Sequence, residues 1–346
     1  MALQRDPHAA EPRLRWGVLS TADIARKKWI PGVRRAPEQQ GEVVAIASRD
    51  LAGAEAAAGQ LGIARAHGSY AALLADPDVD AVYIPLPNHL HLDWTIAAAR
   101  AGKHVLCEKP LALTAADAER MVQACDEAGV LLMEAFMYRL HPSWLAVRQL
   151  LAAGRIGRLQ AVQSWFSYFN DDPTNIRNIA DAGGGALMDI GCYSINLSRM
   201  LFDAEPERVE AAIVRDPDME IDVITSGLLV FPGGGQATFT CSTRSEDDQR
   251  VDIYGTEGRI SVEIPFNIPP DRPTHVDVAH GGEPPVAPHV ERLTFPTADP
   301  YGVEADAFAR AVLDGGPVPT PASDAVAYLR VIERLVAAAG GASQVA

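Results

Sequence analysis

Between residues 14 and 133 the sequence alternates short apolar runs with longer amphipathic stretches, and this alternation restricts the fold more than any other feature. The apolar runs are predicted as strands at Leu14–Leu19, Glu42–Ala47, Val79–Ile84, Lys103–Cys107 and Val130–Met133. The stretches between them are predicted as helices at Ile24–Ala36, Leu51–Leu61, Trp94–Ala101 and Ala115–Ala128. Because parallel strands need long crossover connections, which helices supply, this region is predicted as a parallel, doubly wound sheet.

The pattern changes near residue 136. Helices are predicted at Trp144–Ala153 and Ala186–Phe202, with a strand at Leu159–Tyr168 between them. Five consecutive strands joined by short turns then indicate a large, mostly antiparallel open sheet, at Val209–Val214, Val223–Phe231, Gln236–Ser242, Gln249–Tyr254 and Arg259–Ile264. Residues 265–290, rich in proline and histidine, are predicted as a long surface excursion, and two helices close the chain at Val303–Leu313 and Ala325–Ala339.

The chain is therefore expected to be an α/β protein with two domains. A doubly wound domain is assigned to residues 14–136, and a second α/β domain to residues 137–346. Residues 1–13 carry charges and no apolar segment, so they are predicted as a disordered lead-in and not as a secretion signal.

Composition excludes several classes of function. The net charge of −15 and a pI near 5.0 argue against nucleic acid as a partner, since phosphate binding needs a basic surface. No apolar run approaches the roughly 20 residues that span a bilayer, so no membrane partner is expected. The four cysteines lie far apart without a CxxC pair, which argues against a disulfide framework and against a metal site. Together these features predict a cytoplasmic protein.

The first predicted strand leads into a turn that resembles a phosphate-binding loop. On the glycine fingerprint of dinucleotide-binding domains, Ser20, Ala22 and Ala25 occupy the three glycine positions. Backbone N–H groups at the start of the following helix point at a phosphate in such turns. The candidate cofactor-binding residues here are Ser20, Thr21, Ala22, Asp23 and Ile24, although a turn without any ligand remains an alternative.

The second strand ends in Ser48 and Arg49, where NAD-binding sites usually carry an acidic residue. A hydroxyl and a guanidinium suit a ribose 2′-phosphate, which favours NADP while leaving NAD possible. Asp50 weakens this preference, and a solvated arginine at a helix start is the simpler alternative.

Two further loops end strands of the same sheet and face the same crevice. The first, after Ile84, supplies the cofactor-binding candidates Pro85, Leu86, Asn88 and His91. The second supplies Glu108 and Lys109, followed by a proline that restricts the backbone. Lysine at this place can donate a hydrogen bond to a substrate oxygen and lower the pKa of a neighbouring proton carrier. A surface ion pair of Glu108 is the alternative.

In the second half, three glycines (183–185) precede a predicted helix that carries Asp189 and Tyr193. Residues four apart share a helix face, so a carboxylate and a phenol would act on one substrate hydroxyl. Tyrosine, with a pKa of about 10, needs a nearby cation to exchange protons near neutral pH, and Lys109 is the expected cation. A helix with one buried tyrosine is the alternative.

Taken together, the phosphate turn, the Pro85–His91 loop, Glu108-Lys109-Pro110 and the Gly183–Tyr193 stretch resemble the Gfo/Idh/MocA oxidoreductase family. The resemblance implies that residues 14–136 form an NADP-binding Rossmann domain and that residues 137–346 form an α/β domain for substrate binding and oligomerisation, whose open sheet supports homodimers or homotetramers. It implies that Lys109 is the catalytic lysine and that Asp189 engages the substrate hydroxyl.

Tyr193 stands where other branches of the family have histidine, which resembles the branch of glucose–fructose oxidoreductase, NADP-dependent D-xylose dehydrogenase and dihydrodiol dehydrogenase. In that branch the tyrosine is the acid/base, Arg139 matches a cofactor-contacting arginine, and Asn170 and Arg177 match a substrate-side loop.

The resulting prediction is an NADP-dependent oxidoreductase that moves a hydride between the nicotinamide and a carbon of a sugar or polyol. Lys109, Asp189 and Tyr193 are the predicted catalytic residues, and they bind substrate together with Asn170 and Arg177. The resemblance favours oxidation of an aldose such as D-xylose to its lactone. Alternatives are a keto-sugar reductase, a trans-dihydrodiol dehydrogenase, an NAD-dependent glycosidase of the same family and a non-catalytic nucleotide sensor.

Overall fold

The computed structural model describes residues 12–281 and 289–341 of the chain. The predicted lead-in lies almost entirely on residues 1–11, outside the described residues. Within the described part, no helix has both the length and the apolar character that a bilayer crossing needs.

The first domain is a six-stranded parallel sheet with the order β3-β2-β1-β4-β5-β6, which confirms the doubly wound prediction. Its strands are β1 (Leu14–Leu19), β2 (Gly41–Ala47), β3 (Arg65–His67), β4 (Ala81–Ile84), β5 (His104–Cys107) and β6 (Leu132–Glu134). Its helices are α1 (Ile30–Arg35), α2 (Leu51–Leu61), α3 (Tyr70–Leu74), α4 (His91–Arg100) and α5 (Ala115–Ala128). Strand β3 and helix α3 were not predicted, because three to five residues are too few to show a periodicity.

Local capping signals set the bounds of the two longest helices in this domain. Asp50 and Thr114 precede α2 and α5, and each side chain accepts a hydrogen bond from a backbone N–H of the first turn. Gly62 and Gly129 end the same helices in the left-handed conformation that glycine adopts without steric cost. These helices consequently begin and end where the sequence predicted.

The second domain contains an eight-stranded sheet with the order β14-β13-β12-β11-β7-β10-β9-β8. All neighbouring pairs are antiparallel except β7 with β10, so the prediction of a mostly antiparallel sheet is confirmed. The strands are β7 (Leu159–Phe169), β8 (Arg208–Arg215), β9 (Asp222–Val230), β10 (Gln236–Ser242), β11 (Arg244–Gly255), β12 (Gly258–Val262), β13 (Thr274–His280) and β14 (His289–Phe295). Helices α6 (Pro142–Ala152) and α7 (Cys192–Phe202) belong to the same domain.

The prediction that residues 265–290 form a surface excursion is wrong for residues 274–280 and 289–290, which lie in strands. Strand β13 lies inside it and pairs with β12 and β14, while residues 282–288 lie outside the described part. Phe266 and Ile268 are buried. The prolines near 265–270 and the polar side chains of β13 conceal the strand in the sequence, because Val276, Val278 and Ala279 are its only buried residues.

The last two helices return to the rest of the molecule. Helix α8 (Pro300–Asp314) packs against α1 of the first domain, where Gly32 lies so close that an added Cβ would sit 2.8 Å from Cβ of Tyr301. Phe308 packs against Trp16 with ring centres 5.3 Å apart. The carboxylate of Asp306 accepts the backbone N–H groups of residues 38 and 40 at 2.7 and 2.9 Å. Helix α9 (Ala322–Gly341) packs on α5, α7 and β8.

Candidate active site

A cleft of about 480 Å³ opens at the carboxyl ends of β1, β4 and β5, where ligands bind in doubly wound sheets. Both domains line it. The lining residues that the sequence analysis had singled out are Ala22, Asp23, Ile24, Pro85, Leu86, Asn88, Glu108, Lys109, Arg177, Asp189 and Tyr193.

The phosphate turn after β1 reaches the cleft mainly through its backbone. Ser20 has a φ of 155°, a conformation that side chains rarely adopt and that the glycine of the fingerprint adopts freely. Its hydroxyl accepts a hydrogen bond from the N–H of Ala22 at 3.0 Å. Thr21 lies between them, and a widened π-helical turn at Ala25–Trp29 follows. The turn thus directs the start of a helix, with its N–H groups, toward the cleft.

Ser48 and Arg49 follow β2 at the same edge of the sheet, and Arg49 is exposed. Within the described residues Arg49 forms no ion pair. Asp50 caps α2 by accepting the N–H of Gly53 at 2.8 Å. The Asp50 carboxylate, which in the sequence weakens the preference for NADP, therefore caps the helix. The Arg49 guanidinium remains available to bind a phosphate.

The Pro85–His91 loop connects the two domains. The Asn88 amide donates to the carbonyl of Gly183 at 3.0 Å. His91 is fully buried, and its two ring nitrogens lie 2.8 Å from the carbonyl oxygen of Leu86 and 2.9 Å from that of Pro110. The imidazole holds these two loops together and does not reach the cleft, so the structure does not support its expected contact with a cofactor.

Lys109 follows β5, and its ammonium crosses to the second domain. It donates to the backbone carbonyl of Asp189 at 2.5 Å and to the carboxylate Oδ1 of the same residue at 3.1 Å. Asp189 lies in a second π-helical turn, Leu187–Gly191, which precedes α7. Such widened turns recur at functional sites, and here the turn offers both a carbonyl and a carboxylate to the lysine.

Opposite charges set the protonation of this pair. Burial alone would raise the pKa of Asp189, but Lys109 and Arg177 outweigh it and lower that pKa to about 2. Burial would lower the pKa of Lys109, but the charge of Asp189 outweighs it and the net pKa is raised. The cleft therefore holds a carboxylate and an ammonium at neutral pH.

Glu108 lies beside the lysine and behaves differently. Its Oε1 accepts the hydroxyl of Tyr83 at 2.5 Å, and its Oε2 accepts the N–H of Lys109 at 3.3 Å. Burial raises the pKa of Glu108, and these hydrogen bonds offset the rise only in part. Glu108 thereby fixes the backbone that carries the ammonium.

Tyr193 lies one turn beyond Asp189 and contacts the lysine through its ring. The ammonium is 4.9 Å from the ring centre, within the range of a cation–π contact. The hydroxyl donates to the sulfur of Met137 at 3.8 Å, and aromatic rings of Phe136 and Phe166 pack around it. Burial raises the pKa of Tyr193 well above its ordinary value. The expectation that Lys109 lowers this pKa is therefore not met.

Two further predicted residues, Arg139 and Asn170, also lie away from the cleft. Arg139 forms an ion pair with Asp324 of α9 at 2.5 Å and donates to Asn196 at 3.3 Å, so it joins α9 to α7. The side-chain oxygen of Asn170 accepts from the amide of Asn178 at 3.1 Å within its own loop. The structure supports neither a cofactor contact for Arg139 nor a substrate contact for Asn170. Arg177, by contrast, lines the cleft and donates from Nε to Asp189 Oδ2 at 3.2 Å.

The sequence analysis missed several residues that line the cleft, namely Met137, Phe166, Tyr168, Asn267 and Tyr301. For Tyr168 a signal existed, since it has the same strand parity as the apolar positions of β7. Asn267 lay in the segment predicted as an excursion. Tyr301 follows the Asp299 cap of α8, and its proximity to the first domain depends on tertiary packing alone.

Hydride transfer by a nicotinamide needs a dinucleotide across the strand ends and a proton-donating group beside it. The cleft brings the phosphate turn at the strand ends together with Lys109 and Tyr193, an arrangement that fits the class of nicotinamide-dependent dehydrogenases and reductases. Residues 14–136 match the oxidoreductase family model with an NAD-binding Rossmann fold, and residues 144–261 match the GFO/IDH/MocA C-terminal domain. The chain belongs to the GFO/IDH/MocA family.

Similar proteins span almost the whole chain. An uncharacterized oxidoreductase of Rhizobium meliloti is 45% identical over 93% of this chain and 96% of its own length. A D-xylose 1-dehydrogenase (NADP(+)) of Haloferax volcanii is 40% identical over 92% and 95%. The crystal structure of a 3-ketoreductase from Actinomadura kijaniata in complex with NADP and TDP-benzene matches with a TM-score of 0.87 at 33% identity, covering 94% of this chain and 98% of that one.

Proposed function

We propose that this protein is an NADP-dependent dehydrogenase that oxidises the C1 hydroxyl of an aldose to a lactone, with D-xylose as the first candidate. The observation that carries this proposal is the contact of Lys109 and Asp189 in the cleft beside the phosphate turn. The similarity to a xylose dehydrogenase over nearly the full chain supports the choice of substrate.

The residues present fit a bound NADP. The turn of Ser20, Thr21 and Ala22 would hold the pyrophosphate with backbone N–H groups, because it opens a helix at the strand ends. Ser48 and Arg49 would hold the 2′-phosphate, since a guanidinium fork suits that group. When bound, the cofactor supplies the hydride acceptor.

The chain's own residues would bind and polarise the substrate. Lys109 would donate a hydrogen bond to the reacting oxygen, where negative charge develops. Asp189 would keep the lysine protonated and accept a hydrogen bond from the adjacent hydroxyl. Tyr193 would exchange the proton of the reacting hydroxyl; a thioether is a weak acceptor, so its contact with Met137 leaves the phenol available.

A panel of sugars and polyols assayed by nicotinamide absorbance, with NADP and NAD separately, tests this proposal. We expect reduction of NADP by aldoses and a lower catalytic efficiency with NAD. Cleavage of a glycoside by protein that retains NAD, without net redox, would instead support the glycosidase. Absence of both activities, with NADPH still bound, would support a nucleotide sensor.

A keto-sugar reductase is the second candidate, and the protonation of Tyr193 favours it. With its pKa raised, the phenol is protonated at neutral pH and suits proton donation to a carbonyl. Oxidation needs the phenolate form of Tyr193. The kcat of oxidation should therefore rise about tenfold per pH unit until the pH reaches the raised pKa of Tyr193. Reduction should change little over the same range.

Measurement of kcat in both directions between pH 6 and 10 checks this prediction, with Tyr193→Phe as the comparison. The variant should lose the rise in the oxidative direction. An oxidative profile that is flat in the wild-type protein would show that Tyr193 does not exchange the proton.

We also propose that the chain associates into homodimers or homotetramers through the outer face of the second sheet. That face carries a shallow depression of about 640 Å³ with Trp165 partly exposed in it. Light scattering should give a mass of two or four chains, and Trp165→Glu should reduce it to one.

A further inference from the structure

Tyr168 occupies the last inward-facing position of β7. Val162, Ser164 and Phe166 are buried on one side of this strand, and Tyr168 continues the same side because side chains alternate. The strand pairs with β10 along one edge and with β11 along the other. The phenol therefore projects toward the cleft from an element that is hydrogen-bonded on both sides.

Three donors bond the carboxylate of Asp189, and they differ in rigidity. Lys109 contacts Oδ1 at 3.1 Å, while Arg177 and Tyr168 contact Oδ2 at 3.2 and 2.6 Å. Arg177 lies in a short turn, Ile176–Asn178, and its side chain is 46% exposed. Tyr168 makes the shortest of the three contacts and is the donor held by the central strand of the sheet.

The tyrosine also differs from the other two donors in charge. Burial and the neighbouring Asp189 raise the pKa of Tyr168, so the phenol stays a protonated, neutral donor. It orients the carboxylate without changing the balance of charge in the cleft. The charges of Lys109 and Arg177 contribute most to keeping Asp189 ionised, and the hydrogen bond from Tyr168 adds to them while it also restricts rotation of the carboxylate.

From this geometry we propose that Tyr168 is a positioning residue: it fixes the rotation of the Asp189 carboxylate so that the free lone pairs meet the hydroxyl next to the reacting carbon. The inference rests on the proposed aldose dehydrogenase function. It follows that Tyr168 matters only for substrates that carry this neighbouring hydroxyl.

Paired substrates isolate that role. We would measure kcat and KM of Tyr168→Phe with D-xylose and 2-deoxy-D-xylose, and with D-glucose and 2-deoxy-D-glucose. The matched control is Tyr254→Phe on β11, whose hydroxyl lies 3.4 Å from Gln163 on the exposed side of the same sheet. NADPH binding and Tm are measured for each variant to show that it is folded.

We expect Tyr168→Phe to lower kcat about tenfold with D-xylose and D-glucose, which carry the 2-hydroxyl, as for a lost hydrogen bond to a charged group. The loss with the 2-deoxy sugar should be less than about twofold, because no hydroxyl then depends on the carboxylate. NADPH affinity, and both activities of Tyr254→Phe, should stay at the wild-type values.

Equal losses on both members of a pair would overturn the inference, because a merely structural role lowers both. Wild-type activity of Tyr168→Phe on D-xylose and D-glucose would also overturn it. A wild-type protein that oxidises neither aldose but reduces keto-sugars would contradict the proposed function itself, and the inference would fail with it.

Discussion

Two helices that open onto the cleft begin with the same distortion, a widened π-helical turn, and they use it differently. The turn at Ala25–Trp29, after β1, contains no acidic residue and follows a loop that faces the cleft through its backbone. The turn at Leu187–Gly191 carries Asp189, whose carbonyl and carboxylate both hold Lys109. We propose that the first region binds its ligand with the main chain and that the second binds it with charged side chains.

This difference predicts where the molecule tolerates substitution. Backbone N–H groups persist whatever side chain is present, so the first region should accept changes that keep its conformation. In the second region each charge sets the protonation of its neighbour, so the loss of one alters the others. Mutations should therefore have much larger effects beside Asp189 than beside Ser20.

Removal of Lys109 should give the largest effect. We expect Lys109→Ala to lower kcat about a thousandfold, since it removes the donor at the developing negative charge. NADPH affinity should change less than about threefold, because the turn binds through the main chain. Lys28→Ala, an exposed lysine of the first π-helical turn, is the control. Turnover within a few-fold of wild type in Lys109→Ala would reject the catalytic assignment.

Asp189→Asn should have the next largest effect, about a hundredfold in kcat, because the lysine loses its anchor. The charge of Asp189 raises the pKa of Lys109 against the effect of burial. Without that charge, burial lowers the pKa of Lys109. The lysine then loses its proton at a lower pH, so the decline of activity on the alkaline side of the profile should begin at a lower pH.

A profile of kcat/KM against pH checks this shift, with the exposed Asp181→Asn as control. An unchanged basic limb in Asp189→Asn would mean that the lysine is not the titrating group.

Arg49→Asp tests a side chain that, together with Ser48, is proposed to hold the 2′-phosphate. We expect KM for NADP to rise about tenfold, as for the loss of a charge-assisted hydrogen bond, and KM for NAD to change little. Arg100→Asp makes the same change of net charge at an exposed position of α4 and should leave both constants unaltered. Equal losses with both cofactors would contradict a role at the 2′-phosphate.

Ser20→Gly should have the smallest effect. Glycine relieves the unusual backbone conformation but removes the hydrogen bond to the N–H of Ala22, and the two changes oppose each other. We expect the free energy of unfolding in urea to change by less than about 1 kcal/mol. NADPH affinity should stay within about threefold. A tenfold loss of affinity would show that the hydroxyl itself binds the cofactor.

Much of the fold was predictable because its signals are local. Helix α5 has the predicted bounds, since Thr114 and Gly129 cap it whatever surrounds it. Strand β13 was missed because only Val276, Val278 and Ala279 are buried in it and its other four residues are polar. Its identity as a strand depends on pairing with β12 and β14, which no local pattern reveals.

The candidate site divides in the same way. Motif order was enough to predict that Lys109 and Asp189 share one cleft. The backbone carbonyl that holds the lysine depends on a π-helical turn, and the phenol that holds Asp189 depends on the register of β7. Packing against Phe136 and Phe166 orients Tyr193 so that its ring faces the ammonium of Lys109. These features are set by tertiary structure and lie beyond sequence motifs.

The return of α8 to the first domain has a consequence for how the chain is divided. Phe308 packs on Trp16, and Trp16 packs edge-on against Trp29. Helix α8, near the end of the chain, thus completes the hydrophobic core of the first domain. A fragment cut after residue 136 would expose two indoles to water and would lack the carboxylates that bind its α1–β2 connection. Residue 136, where the sequence pattern changes, is therefore not the end of a unit that folds by itself. Expression of the nucleotide-binding half alone should yield aggregated protein.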